Sequence, residues 1–229
     1  MRVTEPGIGS NVMPGEVYGV VPYSRRGVLG LDLDGLASEY AVVPAECLVR
    51  MEVSHLQQLT PLYMEFSYID EVVKLLRRSS RTLIVGCGFT AYVLGLLARN
   101  HRNVEVLCLD VDRVKQLREL SLPLRKSVED VERGVDLLIM AGDVDIDITE
   151  VLNDGGRIYL TPGVFVMDVC FKCTPSRIKL MRPNYFRPER GKTYVDRVSK
   201  YMLSTQVGFV SDLNQAISTL EIFERIIIT

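Results

Sequence analysis

The sequence predicts a doubly wound α/β protein, and three observations carry that prediction. Short apolar runs alternate with stretches of helical periodicity from about residue 61 onward. A glycine-rich turn, Val85-Gly86-Cys87-Gly88-Phe89-Thr90-Ala91, joins one of those runs to the helix after it, and the acidic residue Asp110 stands at the end of the next run. Parallel strands need crossover connections, normally helices, so the alternation implies a mostly parallel sheet covered on both faces.

The first fifty residues lack this alternation. Segments such as Gly15-Glu16-Val17-Tyr18-Gly19-Val20-Val21-Pro22 and Glu39-Tyr40-Ala41-Val42-Val43-Pro44 are rich in Gly, Pro and β-formers, and they read as short irregular strands joined by turns. After Pro61, the spacing of Ile69, Val72, Val73 and Leu76 predicts a helix over 64–78. Thr82-Leu83-Ile84-Val85 is a buried strand, 90–100 a helix with Ala91, Leu94 and Ala98 on one face, and 104–109 a second strand. A helix near 113–120 and a strand over 136–141 follow. A short helix over 148–152, stopped by Asn153-Asp154-Gly155-Gly156, leads to a strand over 157–161. Residues 177–181 read as one more strand, and Tyr194, Val198, Tyr201 and Met202 mark a helix ending before a break at Gly208. Asp212 caps a last helix carrying Leu213, Ala216, Ile217 and Leu220, and 225–228 closes the chain as a strand.

Composition narrows the function. The chain has 229 residues, 47% apolar and 24% charged, with a net charge of −2, which is the profile of an ordinary globular protein. Near-zero charge argues against a nucleic-acid binder that works by wholesale phosphate neutralisation. No apolar run approaches the roughly 18 to 20 residues of a membrane span, and no apolar leader follows Met1, so the expected compartment is the cytoplasm. Cys47, Cys87, Cys108, Cys170 and Cys173 are an odd, irregular set that fits thiols in a reducing interior better than a disulfide framework.

The glycine turn has the form G-x-G-x-x-A between an apolar strand and a helix. Gly86 permits the tight turn, Gly88 lets the backbone approach a pyrophosphate, and Ala91 keeps helix and strand close. The pyrophosphate would rest on the amides and positive dipole end of the helix starting near Thr90. Asp110, nineteen residues beyond Ala91, can accept both hydroxyls of an adenosine ribose and would repel a 2′-phosphate, which favours NAD over NADP. The plainer alternative is a turn tightened by glycines in a domain that binds nothing. A third reading shares most of these residues: Val85-Gly86-Cys87-Gly88 before an acidic strand end also resembles the first motif of S-adenosylmethionine-dependent methyltransferases. Those enzymes usually carry an acidic residue just before the first Gly and a third Gly, where this chain has Ile84 with Val85, and Thr90; their sheets also finish with a β-hairpin, which the sequence after Gly163 does not suggest.

The flanks resemble the medium-chain dehydrogenase/reductase superfamily, the relatives of zinc-type alcohol dehydrogenase, along nearly the whole chain. Gly15-Glu16-Val17 resembles the turn that enters a strand of that family's GroES-like domain. Gly35 to Val49 is similar to its Gly-x-Ala-Glu-Tyr-x-x-Val-Pro stretch, with Ser38 shifted or inserted. Gly134-Val135-Asp136 to Gly155-Gly156-Arg157-Ile158, and Arg225 to Ile228, resemble its later Rossmann strands and terminal strand. The resemblance implies a Rossmann dinucleotide-binding domain over 61–205 and a partial, mostly β GroES-like domain over 1–60 completed by 206–229. It implies NAD(H) binding through Gly86, Cys87, Gly88, Phe89, Thr90, Ala91, Asp110, Val111, Ala141, Gly142 and Pro162. It also implies oxidoreductase activity on a carbonyl or quinone-like small molecule, and a homo-oligomer, a dimer above all, joined through a sheet edge at Arg177 to Met181.

The departures from that family concern zinc. The family's N-terminal segment, with its Cys and Gly-His-Glu ligands, is expected to be absent, because Met1 aligns just beyond it. Thr60-Pro61-Leu62 stands where many relatives carry a ligand before Pro-Leu, and hydroxyls are poor zinc ligands. The four-cysteine lobe is replaced by the short loop Tyr23 to Asp34, and His55 and His101 have no suitable partner nearby in sequence. No zinc is therefore expected, and Tyr23, Ser24 and Thr60 are the position-based candidates for polarising a carbonyl. A non-catalytic NAD-binding or assembly protein is the alternative. Cys170-Phe171-Lys172-Cys173 lacks the second pair a structural zinc needs and reads as two small apolar residues. The basic stretch Lys172 to Lys200, nine cations against Glu189 and Asp196, reads as a solvated face.

Overall fold

The computed structural model describes all residues except 1, 8–9, 22, 30–31, 36–39, 52–61, 111–113, 143–148, 163, 165–176, 185, 203–206, 211–224 and 229, with backbone alone at 23, 28, 115–116, 149, 197–202, 207–210 and 225–228. In chain order the elements are β1 (Tyr18–Val20), β2 (Tyr23–Ser24), β3 (Gly27–Val28), β4 (Leu48–Arg50), α1 (Leu62–Glu65), α2 (Ile69–Arg78), β5 (Thr82–Val85) and α3 (Phe89–Ala98). They continue with β6 (Val104–Leu107), α4 (Val114–Leu117), β7 (Leu124–Arg125), β8 (Val135–Met140), β9 (Leu152–Leu160), β10 (Lys179–Met181), α5 (Pro188–Met202), β11 (Val207–Val210) and β12 (Arg225–Ile228). They form two compact units, one of residues 70–184 and one of residues 1–69 with 185–229.

The first unit is the doubly wound sheet. Its six strands lie in the order β10-β9-β8-β5-β6-β7, and every neighbouring pair is parallel. The order reverses at β5, whose two neighbours are reached in opposite directions, and in open parallel sheets the carboxyl ends of the strands at such a reversal are where ligands bind. All four residues of β5 are buried, as are Leu137, Leu138, Ile139, Tyr159 and Leu160 on its neighbours. Leu83, Val85, Leu107, Leu138, Met140, Ile158 and Leu160 join one core cluster, while Ile84 and Ile139, which alternate with them, are also buried. Both faces are covered, which is why these strands read as continuous apolar runs. Nine of the ten residues of α3 are buried, so this helix is enclosed on nearly all sides rather than along the one expected stripe, as suits a helix apolar all round.

The polar turn formers at 153–156 do not stop the chain before β9. The ladder pairs Val135 with Leu152 and then Leu137 with Arg157, so Asn153-Asp154-Gly155-Gly156 project as a bulge within one long strand. Asn153 holds that bulge, its Nδ2 donating to the Gly134 carbonyl at 3.1 Å and to Asp136 Oδ1 at 2.8 Å. The two-residue strand β7 has no sequence signature because two residues show no periodicity.

In the second unit β1 and β4 pair antiparallel, with Tyr18 opposite Arg50 and Val20 opposite Leu48, and β2 and β3 form a hairpin. The single helix expected over 64–78 is broken at 66–68. Ser67 Oγ and N both donate to the Met64 carbonyl, at 2.7 and 3.1 Å, and Arg187 N donates to the Ser67 carbonyl at 3.1 Å, which diverts this turn from the helical ladder. α5 packs on α1 through Gly191, where any side chain would overlap the Tyr63 carbonyl. β11 and β12 pair in parallel, with Val207 opposite Arg225, so Gly208 lies inside a strand; Val207, Phe209 and Val210 around it outweigh one glycine. The expected helix after Asp212 lies outside the described residues. No helix among the described residues is long and apolar enough to cross a membrane.

Candidate functional site

The glycine turn sits at the point where the strand order reverses. Gly86 continues the ladder, donating from N to the Leu107 carbonyl at 3.0 Å, and has φ +142, a conformation L side chains rarely adopt. A Cβ there would lie 3.0 Å from both the Ala141 carbonyl carbon and the Gly142 nitrogen, so the turn is seated directly against the end of β8. Ala141 N donates to the Val85 carbonyl at 2.8 Å and ties the two strand ends together.

Gly88 is the N-cap of α3, extended at φ −89 and ψ −171, and contributes no capping side chain. The first turn of α3 holds no acidic residue. Amides of a first helical turn have no acceptor within the helix, and they carry the positive end of its dipole. Their charge is therefore not offset by a carboxylate of the helix's own first turn. Phe89, Thr90 and Ala91 form that turn and are buried.

Asp110 follows β6 and is exposed. Its backbone N donates to Cys87 Sγ at 3.3 Å, and its carbonyl accepts from Val114 N at 3.1 Å, so the Asp110 backbone is tied to the glycine turn. Leu109, 39% exposed, adds an apolar face next to it. At the end of β9, Thr161 N and Oγ1 both donate to the Met140 carbonyl, at 3.1 and 2.9 Å, and Pro162 follows, half-buried. Gly86, Cys87, Gly88, Phe89, Thr90, Ala91, Asp110, Ala141, Gly142 and Pro162 thus gather at one end of the sheet; Val111 lies outside the described residues.

One expectation is overturned here. Cys87 and Cys108 are joined as a disulfide, Cα to Cα 4.8 Å, where the sequence suggested only thiols. The pairing is hidden in sequence because the partners are 21 residues apart; the parallel pairing of Val85 with Leu107 is what brings them side by side. Cys108, Leu109 and the Thr161 hydroxyl are site residues that sequence reasoning missed. A signal existed for Cys108 alone, as a cysteine just past the strand adjoining the glycine turn.

The catalytic and metal candidates gather less. Ser24 Oγ donates to the Gly27 carbonyl at 2.9 Å and accepts from Arg26 N at 3.0 Å, so this hydroxyl closes the β2–β3 turn. Thr60, His55, Cys170 and Cys173 lie outside the described residues. Among the described residues no three His, Cys, Asp or Glu side chains converge as a metal site. Cys47 is buried and takes no part in the disulfide, and burial, helped by the neighbouring Glu46 charge, pushes its thiol up from the ordinary value.

No protein-family model and no curated protein matches this sequence. Solved structures match it in fold. A short-chain alcohol dehydrogenase of Escherichia coli CFT073 complexed with NADH is 18% identical with a TM-score of 0.59, over 96% of this chain and 77% of that one. The alcohol dehydrogenase of Aeropyrum pernix is 15% identical with a TM-score of 0.57, over 96% and 77%. CAD from Helicobacter pylori, complexed with NADP(H), is 14% identical with a TM-score of 0.56, over 95% and 75%. At such identities the likeness is one of fold: this chain has the α/β architecture of alcohol dehydrogenases.

Proposed function

We propose that the chain binds NAD(H) at the carboxyl end of its sheet and works as an alcohol dehydrogenase-like, zinc-independent oxidoreductase on a carbonyl or quinone-like small molecule. The observation that carries the reading is the glycine turn at the strand-order reversal of an all-parallel sheet, with Asp110 beside it. The residues fit a dinucleotide: a Cβ would fill the cradle at Gly86, and the N-cap of α3, Gly88, has no side chain to close the start of the helix. In this reading Gly86 and Gly88 admit the pyrophosphate to the backbone, and the first-turn amides of α3 neutralise its charge. Asp110 accepts the ribose hydroxyls and repels a 2′-phosphate, Leu109 lies against the adenine, and Ala141, Gly142 and Pro162 border the second mononucleotide half. The bound cofactor supplies hydride transfer, while the protein orients it and excludes water. Zinc independence rests on the sequence Thr60-Pro61-Leu62, which has a hydroxyl where many members of the family it resembles carry a ligand before Pro-Leu. The same reading keeps a Rossmann domain over 61–205 with a GroES-like remainder, a cytoplasmic protein, and a homo-oligomer through β10, where Leu180 is 49% exposed on the sheet edge.

Isothermal titration of the full chain with NADH, NADPH and S-adenosylmethionine tests it. NADH is expected to bind most tightly. Binding of S-adenosylmethionine with no dinucleotide would overturn the reading in favour of a methyltransferase, against which the parallel pairing of β10 with β9 already counts. Following NADH oxidation against aldehydes and quinones separates enzyme from binding protein, since silence across the panel removes the catalytic part.

A further inference from the structure

The disulfide joins the two segments on which the proposed site depends. Cys87 is the residue between the two glycines of the turn, and Cys108 precedes Leu109 and Asp110. Cys87 Sγ also accepts the Asp110 N–H at 3.3 Å, so one sulfur is bonded to the end of β6 and hydrogen-bonded to the residue that carries the carboxylate. Cys108 is fully buried, with its N donating to the Arg125 carbonyl at 2.9 Å, whereas Cys87 is half-buried. The pair therefore has a fully buried cysteine on the strand and a partly exposed one on the turn. A disulfide serving only general stability could lie anywhere in the unit; this one spans the gap between phosphate cradle and ribose carboxylate.

We propose that Cys87 and Cys108 are a reversible redox site that sets dinucleotide affinity, with the disulfide as the tight-binding form. The inference rests on the NAD(H) reading above. The co-reactant is a low-molecular-weight disulfide of the glutathione class. The Cys87 thiolate attacks one of its sulfurs, forming a mixed disulfide and releasing one small thiol. The Cys108 thiolate then attacks Cys87 Sγ, forming the internal bond and releasing the second thiol, so two protein thiols are oxidised and one small disulfide is reduced to two thiols. Excess small thiol reverses both steps, entering at Cys87, the more exposed of the two cysteines. Reduction replaces a bond of about 2 Å by a contact between separate sulfur atoms and frees the turn to move against the end of β6. A ligand that must touch both Gly86-Gly88 and Asp110 loses affinity steeply for displacements on the order of 1 Å.

The test is calorimetric titration of the full chain with NADH after equilibration with oxidised glutathione or with a phosphine reductant, the linked peptides being mapped by mass spectrometry. The expected result is a Cys87–Cys108 linked peptide only in the oxidised sample and NADH binding at least roughly 10-fold tighter there. A C87S/C108S double variant should show the same NADH affinity in both buffers. Equal affinity in the two states, no linked peptide under oxidation, or a double variant that still responds to glutathione would each overturn the redox site while leaving NAD(H) binding intact. Failure of NADH to bind in either state would instead overturn the NAD(H) reading, and the redox proposal with it.

Discussion

The two ends of the six-stranded sheet are built differently. At the amino end the polar side chains bond one another. Asp136 accepts from Ser80 N and Arg81 N at 3.1 Å each, from Ser80 Oγ, and from Asn153 Nδ2 at 2.8 Å. Glu105, its side chain 12% exposed, accepts from Arg81 and Arg125 at 2.6 Å each. A cavity of about 360 Å³ opens there among Arg78, Ser80, Asp136, Asp154 and Arg157, but Asp136, Asp154 and Arg157 are already engaged with Ser80, Asn153, the Arg177 N–H and Ser79. At the carboxyl end the contacts described include backbone amides, the Thr161 hydroxyl and the disulfide, beside a glycine turn and a helix whose N-cap is Gly88. One end spends its polar groups on holding the strands in register. The other presents backbone to whatever enters, which is the division a ligand-binding parallel sheet requires.

Substitutions at the two ends should therefore fail in different ways. The largest effect is expected at Gly86→Val, where a side chain meets the Ala141 and Gly142 backbone at 3.0 Å and φ is +142. Strain of this kind costs about 1–3 kcal/mol, and displacement of the turn should weaken NADH on the order of 100-fold. Calorimetry and thermal melting read the two losses. A Gly86→Val protein that binds NADH normally would remove the turn from the site.

Asp136→Ala should do the reverse. It strips the acceptor from Ser80, Arg81 and Asn153 and leaves their donors to partial solvent, at a cost of about 2 kcal/mol measured by denaturant unfolding. NADH affinity should stay within about twofold, as expected for independent sites. A large loss of affinity with unchanged stability would break the distinction between the ends.

Asp110→Ala sharpens the carboxyl end further. Its side chain is exposed, so stability should move by no more than about 0.5 kcal/mol. NADH should weaken about 10-fold through loss of a charged acceptor, and NADPH less, because the same change removes repulsion of the 2′-phosphate. Equal loss for both cofactors would contradict the ribose role.

How much of this was legible in the sequence follows the same division. β5, α3, β8 and the terminal strand β12 announce themselves through apolar runs and periodicity, and Gly86, Gly88 and Asp110 stand out because their chemistry depends on local spacing. The amino-end network does not, since Ser80, Asp136 and Asn153 come together only once β5, β8 and β9 are aligned. The Cys87–Cys108 bond is hidden for the same reason, as is the bulge at 153–156, where turn-forming residues are absorbed into a strand by contacts from β8. The break at Ser67 depends on Arg187, far away in sequence. What eludes sequence reading in each case is a partner supplied by another strand or helix.

The smallest expected effect is the acid dependence of folding, and it should belong to the amino end. Hydrogen bonds from Ser80 and Asn153 hold the Asp136 carboxyl below its ordinary range against a smaller opposing effect of burial. Burial alone would raise Glu105, but hydrogen bonds and charges from Arg125 and Arg81 together outweigh it and hold this carboxyl low as well. Both groups therefore bind protons more weakly when folded than when unfolded. Below about pH 4, where unfolded carboxylates protonate, the unfolded chain takes up more protons, so the stability these two groups contribute is present above that value and lost as pH falls through their folded range. Melting temperature should accordingly decline from about pH 4 downward, and decline less steeply in Asp136→Asn and Glu105→Gln, which start lower but have no proton to gain. Gly86→Val should show the same acid slope as the unaltered chain, because its lesion lies at the other end of the strands; a flattened slope in that variant would mean that the two ends are coupled through the sheet.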